Sequence, residues 1–214
     1  MLELSTSGTL GDSFIIVLKL MKFGNTPIKV WHCTSHPYWY QNIKDIYSLL
    51  PNVEVEFVTK EERRTDLPII EASYKHMDTE SFPEFNFEDT YLDKPYLVLQ
   101  PHSGKPNGGN TKMFNIKWVQ DIINLYNTET IVLLGTHDSY KGIENCINLV
   151  GETSILNSMK IVSQAEGFIG PEGLLSFVAL SHKIISYIFY TEYAAVRERI
   201  FDTPWQEYAI LRKL

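Results

Sequence analysis

The sequence predicts an α/β protein of two parallel-sheet domains. Short apolar runs rich in β-forming residues alternate with amphipathic runs along both halves of the 214-residue chain. Turns containing glycine follow several of those apolar runs. A shift to acids, Phe and Pro at residues 82–94 separates the halves. Strands joined by helices of about ten residues need crossover connections, and right-handed crossovers give parallel sheets.

Each element follows from local signals. Residues 2–5 read as a first strand, followed by the turn Ser7-Gly8-Thr9-Leu10-Gly11-Asp12. Residues 13–23 are almost continuously apolar and end at Gly24, which predicts a buried helix with a glycine stop. Residues 28–33 form strand two. Trp39, Ile43, Ile46, Tyr47 and Leu50 recur at helical spacing over 37–50, and Pro51 ends that helix. Val53, Val55 and Phe57 alternate with Glu54 and Glu56, which predicts a half-buried strand. Residues 59–94 are read as an irregular connection.

The second half alternates more plainly. Strands are predicted at 96–100, 130–134, 147–150, 168–170 and 183–189, and helices at 116–126, 139–146, 154–164, 174–181 and 194–201. Two Rossmann-like domains facing a cleft, residues 1–90 and 91–214, are the simplest arrangement.

Composition narrows the function. The net charge of -7 argues against a general nucleic-acid binder, which needs a basic stripe to neutralise phosphates. A nucleotide remains an admissible ligand, because a lysine and a helix N-terminus hold a diphosphate even in an acidic protein. Cys33 and Cys146 stand far apart, outside any CxxC pattern, and read as reduced thiols. His32 beside Cys33 lacks the second cluster that a metal site needs. The start Met-Leu-Glu-Leu has no basic region, and no apolar run approaches the ~20 residues of a membrane span. The chain is expected to be soluble and cytoplasmic.

Ligands of open parallel sheets sit at the carboxyl ends of the strands, so the residues after each strand are the candidates. Gly8 and Gly11 let backbone approach a ligand. Asp12 is either a helix cap or a carboxylate able to take a proton from an alcohol. The loop Gln100-Pro101-His102-Ser103-Gly104-Lys105, running on to Thr111, offers hydroxyl, amide and ammonium groups to phosphate oxygens, and Lys117 opens the next helix. Neither GxGxxG nor GxxxxGK[ST] is present. Gly135 ends a strand and admits a base or ribose. In Gly170-Pro171-Glu172-Gly173-Leu174-Leu175-Ser176, Glu172 suits sugar hydroxyls and the free N–H groups suit phosphate.

These turns, in this order, resemble the ADP-heptose:lipopolysaccharide heptosyltransferases, glycosyltransferase family 9. Gly11-Asp12-Ser13 is similar to that family's Gly-Asp turn, whose Asp is the proposed catalytic base. Leu97 to Ser103, Lys117-Trp118, Ile131 to Gly135 and Gly151-Glu152-Thr153-Ser154-Ile155 match its C-terminal half. Pro171 and Ser176 stand where the family's donor turn carries Asp and His, and Val119 stands where a proline usually follows the Trp.

The resemblance implies a GT-B-like fold and an inverting glycosyl transfer that uses neither metal nor cofactor. A nucleotide diphosphate-sugar is the co-substrate, and a glycan or lipopolysaccharide-type hydroxyl is the acceptor, bringing contact with a membrane surface through that acceptor. Asp12 is the expected base. Ser103, Lys117, Gly135, Glu172, Gly173 and Ser176 are the expected donor-binding residues, with Gly11, His102 and Lys105 as phosphate contacts. The alternatives on the same fold are a nucleotide-sugar epimerase or hydrolase and a binding module without catalysis.

Overall fold

A computed structural model describes residues 1–72, 85, 87, 92–104, 112–201 and 203–214. The chain divides into two units, Met1–Pro83 and Glu84–Leu214. Most of the connection predicted at 82–94, and Lys105 with the loop up to Thr111, lie outside the described residues.

The first unit runs β1 (Leu2–Ser7), α1 (Leu10–Leu20), β2 (Ile28–Cys33), α2 (Tyr40–Tyr47) and β3 (Val53–Val58). The three strands are parallel in the order β1-β2-β3. Residues 68–70 add to the other side of β1, where Ser5 N–H donates to Pro68 O and Ile70 N–H to Ser5 O, both at 2.9 Å. Phe14, Ile15, Ile16, Val17, Leu18 and Leu20 are all buried, as the continuous apolar run requires.

Helix α1 starts three residues before its predicted start. Thr9 takes an extended N-cap conformation, and the Asp12 carboxylate folds back onto it, so residues 10–12 join the first turn. The helix predicted at 37–50 is divided into a 3-10 turn at Pro37–Trp39 and α2.

The second unit contains β4 (Leu97–Leu99), the short antiparallel pair β5 (His102–Ser103) and β6 (Lys112–Met113), and α3 (Ile116–Leu125). It continues through β7 (Ile131–Leu133), β8 (Ile147–Asn148), α4 (Ile155–Ser163), β9 (Gly167–Pro171), α5 (Leu174–Ser181), β10 (Ser186–Tyr190), α6 (Tyr193–Arg199) and β11 (Ala209–Lys213). Six of these strands form one sheet in the order β11-β10-β9-β4-β7-β8, parallel throughout. Leu99, Val119, Ile123, Ile131, Leu133 and Ile169 share a core between this sheet and α3, while α5 packs on β9 and β10.

The predicted helix at 139–146 is a 3-10 turn, Asp138–Tyr140, followed by irregular chain. Asn145, at φ 59°, takes a left-handed conformation that a helix cannot contain. Strand β11 was not predicted from the sequence. Among the described residues, no helix is long and apolar enough to cross a membrane.

Candidate functional site

In the second unit the candidates gather at the carboxyl ends of β4 and β9. Strand β9 ends at Pro171, and α5 begins three residues later, so Glu172 and Gly173 form the whole connection. Ser103, on β5, donates its Oγ–H to Glu172 O at 3.3 Å. A Cβ on Gly173 would lie 2.7 Å from that Oγ. Only glycine therefore lets the two segments approach this closely. Ser176, one turn into α5, is fully buried. Its Oγ accepts from Gly173 N–H at 3.0 Å and donates to Gly173 O at 2.9 Å, holding the turn shut.

Glu172 keeps only 3% of its side chain exposed. Its carboxylate is ion-paired with Lys112 of β6 through Oε2, and Arg199 Nη1 donates to Oε1 at 2.8 Å. Lys112 also donates to Glu172 O at 3.0 Å. Burial pushes the Glu172 pKa up, but the charges of Lys112 and Arg199 and the hydrogen bonds both donate outweigh it. The carboxyl is held below its ordinary range. The carboxylate that sequence reasoning gave to a sugar hydroxyl is thus engaged by two cations, and the trio carries a net charge of about +1.

Sequence reasoning missed Lys112 and Arg199. Lys112 is concealed in a long polar loop, and only the β5–β6 pairing, Ser103 opposite Lys112, brings it to the turn. Arg199 sits on α6, beyond the next strand, so no local motif marks it. Lys117 was singled out instead. It lies exposed in the first turn of α3, and its backbone N–H donates to the Asn115 cap at 2.8 Å.

Two buried polar atoms beside this turn have no hydrogen-bond partner among the described residues: Gln100 Oε1 and His102 Nε2. Gln100 Nε2 donates to His102 O at 2.9 Å, which fixes the amide next to the imidazole. The His102 ring lies 5.3 Å from that of His137, which follows β7. Burial, with a further push from His137, lowers the His102 pKa and keeps its ring neutral. Gly135, at φ +155°, ends the β7 segment, and its carbonyl accepts from Gly151 N–H at 2.8 Å. Gly11 and Asp12 belong to the first unit, apart in sequence from all these residues.

The first-unit candidate is the turn between β1 and α1. Asp12 is buried, and its Oδ2 accepts from Thr9 N–H at 2.8 Å and Thr9 Oγ1–H at 3.0 Å. Gly8, at φ +147°, lies so close beneath it that a Cβ there would come within 2.4 Å of Asp12 Cβ. Gly11 is buried in the first turn of α1. His32, beside the free thiol of Cys33, bonds Tyr47 and the Gly8 carbonyl rather than a metal. Among the described residues, no group of three or more His, Cys, Asp and Glu side chains is placed to hold a metal ion.

The parallel α/β sheets, with a capping carboxylate at one strand-end turn and a half-buried cation pair on Glu172 at the other, have a fold of the GT-B-like class. No family model matches the sequence, and no curated protein sequence matches it significantly. Its fold, however, is that of the heptosyltransferases of glycosyltransferase family 9. Over 100% of this chain and 91% of the other, it superposes on E. coli ADP-heptose lps heptosyltransferase II with a TM-score of 0.62 at 13% identity. A glycosyl transferase family 9 structure from Veillonella parvula gives 0.63 at 10% identity, covering 99% of this chain and 86% of that one. TibC, an iron-containing dodecameric glycosyltransferase from enterotoxigenic E. coli, gives 0.56 at 16% identity over 97% of this chain, which spans 63% of TibC.

Proposed function

We propose that the chain is a glycosyltransferase that moves a sugar from a nucleotide diphosphate-sugar to an acceptor hydroxyl. The observation that carries this reading is the unfinished polar site at the carboxyl ends of β4 and β9. Among the described residues, Gln100 Oε1 and His102 Nε2 are buried without partners, on the segment leading to Ser103, which pairs with Lys112 of the Lys112–Glu172–Arg199 group. Leaving such atoms unpaired costs about 1–3 kcal/mol each, which a bound ligand recovers. Two cations and the first N–H groups of α5 suit a diphosphate. Gln100 and His102 suit the polar edge of the phosphates or ribose, with Ser103, Gly135 and Gly173 giving close backbone approach. Lys117, Gly11 and Lys105 are secondary candidates.

The reaction is a single displacement. The acceptor oxygen attacks the anomeric carbon, the bond from that carbon to the diphosphate oxygen breaks, and the configuration inverts. Asp12 takes the acceptor's proton. The charge developing on the leaving nucleotide is stabilised by Lys112 and Arg199, already oriented by Glu172. ADP-heptose is the first donor to try, because the name of E. coli heptosyltransferase II specifies it. A lipopolysaccharide-type acceptor would bring the protein to a membrane surface from the cytoplasm. A binding module is the second reading, favoured by Pro171 and Ser176 at the donor turn.

Melting temperature with ADP and with ADP-heptose tests the donor site, since a ligand that binds only the folded state stabilises it. At a hundredfold excess over Kd the gain is about 2.7 kcal/mol. Asp12→Asn then separates the readings. An enzyme loses turnover, by about 100-fold or more for a lost general base, and keeps its donor affinity. A protein with no measurable turnover and an unchanged donor shift is the binding module. Failure of both nucleotides to raise the melting temperature overturns the donor site.

A further inference from the structure

We infer that His32 and Tyr47 are positioning residues for Asp12, acting on it through the Gly8–Thr9 peptide. The inference rests on the reading of Asp12 as the base, but its structural part can be tested without turnover.

A single peptide group links the two side chains. Its carbonyl, Gly8 O, lies 3.3 Å from His32 Nε2. Its amide, Thr9 N–H, donates to Asp12 Oδ2 at 2.8 Å. The other ring nitrogen, His32 Nδ1, lies 3.0 Å from Tyr47 Oη. Burial lowers the His32 pKa and keeps the ring neutral, and for a neutral ring only one arrangement of protons satisfies all three. A carbonyl oxygen cannot donate, so Nε2 carries the hydrogen. The neutral ring then offers Nδ1 as an acceptor, and Tyr47 O–H donates to it. Four groups therefore run in one direction, from the Tyr47 hydroxyl through the imidazole and the peptide to the carboxylate. Each bond polarises the next in such a chain, and the peptide N–H facing Asp12 gains most.

The surroundings keep this chain in a single state. His32 is fully buried and Tyr47 nearly so. The imidazole is flanked edge-on by Tyr47 and by Phe57 of β3. Burial pushes the His32 pKa down, against the Gly8 carbonyl and the Asp12 charge, and pushes Tyr47 far up, so neither ionises near neutrality. Gly8 is fixed on its other side as well, where its N–H donates to Cys33 O at 3.2 Å. The Gly8–Thr9 peptide plane cannot rotate without breaking bonds to β2, and Asp12 rests on that plane. A side chain needed only to fill this space would be apolar. A buried imidazole and hydroxyl that bond each other and the turn are the costlier choice.

The test uses the full chain, with ADP-heptose as donor and a lipopolysaccharide-type acceptor. In the wild type, 15N chemical shifts of His32 at pH 7 should show the neutral ring protonated at Nε2. A ring protonated at Nδ1, or charged, overturns the inference. His32→Met removes the donor to Gly8. Exchange of the Thr9 amide should rise about tenfold, the factor for one hydrogen bond, and kcat should fall while the donor KM stays unchanged. His32→Gln, whose side-chain amide reaches the same carbonyl, should restore most of both. Tyr47→Phe, which keeps the packing, should give the same signature more weakly and covers the case in which His32→Met fails to fold. Wild-type Thr9 exchange in both His32→Met and Tyr47→Phe, or a Gln variant no better than Met, overturns the proposal. If no turnover is found with any donor, the reading of Asp12 as base fails, and the ring protonation and Thr9 exchange still decide the geometry.

Discussion

At the scale of single residues, Glu172 sets the sharpest expectation. Its carboxylate is almost wholly buried, yet Lys112 and Arg199 hold its pKa below the ordinary value of 4.5. A folded value below the unfolded one adds stability that is complete above that ordinary value. The contribution is lost as pH falls through the lower folded value. Glu172→Gln should therefore destabilise the protein at pH 7 by about 3 kcal/mol, the low end for a broken buried ion pair because Arg199 keeps 30% of its side chain in solvent. The difference from wild type should shrink as denaturation is repeated at lower pH. A penalty of the same size at pH 7 and pH 3 would show that the two cations do not set the ionisation of Glu172.

The same residue shows what the sequence made legible and what it did not. Gly-Pro-Glu-Gly after a short apolar strand marks a strand-to-helix turn, and Ser7 to Asp12 marks another, because glycine and a capping acid are local requirements of such turns. The partners of Glu172 are long-range. Lys112 lies 60 residues away in sequence and Arg199 lies 27 away, and only the strand order brings them together. His32 was visible only as a neighbour of Cys33, since nothing in the sequence reveals that Ser7 pairs with Cys33 in parallel register and so sets His32 under Gly8.

Element boundaries follow from capping chemistry. A glycine turn followed by apolar residues suggests a helix from Ser13, but the carboxylate of Asp12 caps the Thr9 amide and draws three more residues into the first turn. Strand β11 escaped notice because the chain before it carries no strong turn pair. Trp205 fixes the approach instead, fully buried and stacked on Phe177 of α5 at 5.6 Å.

The β1–α1 connection also carries a prediction. Gly8 holds a φ of +147°, and a Cβ would meet Asp12 Cβ at 2.4 Å and Oδ2 at 2.7 Å. Gly8→Ala must both strain the backbone and displace the carboxylate. It should lower stability by about 1–3 kcal/mol and abolish most turnover while leaving the ADP-induced shift in melting temperature intact. Gly142→Ala is the control, because a Cβ there meets nothing within 4 Å. Equal stability of the two variants would remove the argument that this turn is built around glycine.

At the scale of the whole molecule, the two units divide the proposed work. The second unit holds every residue assigned to the donor except the secondary candidate Gly11, and its six-stranded parallel sheet has α3 on one face and α5 against β9 and β10. The core beneath α3 draws Leu99, Ile123, Ile131, Leu133 and Ile169 from β4, β7, β9 and α3, with Phe114 before α3 and Tyr140 after β7 joining them. Among the described residues, nothing in that core comes from before Glu84. A fragment of residues 84–214 should therefore fold by itself, since a domain of this size buries enough apolar surface to be stable. If the donor site is complete within it, ADP should raise its melting temperature as it does that of the full chain. Lys112→Ala in the fragment should remove that shift, because it takes away one of the two cations placed for the diphosphate. A fragment that folds, with native-like circular dichroism and a cooperative transition, yet ignores ADP when the full chain responds would move the nucleotide's essential contacts into the first unit. That result would reverse the division of labour argued from the cation pair.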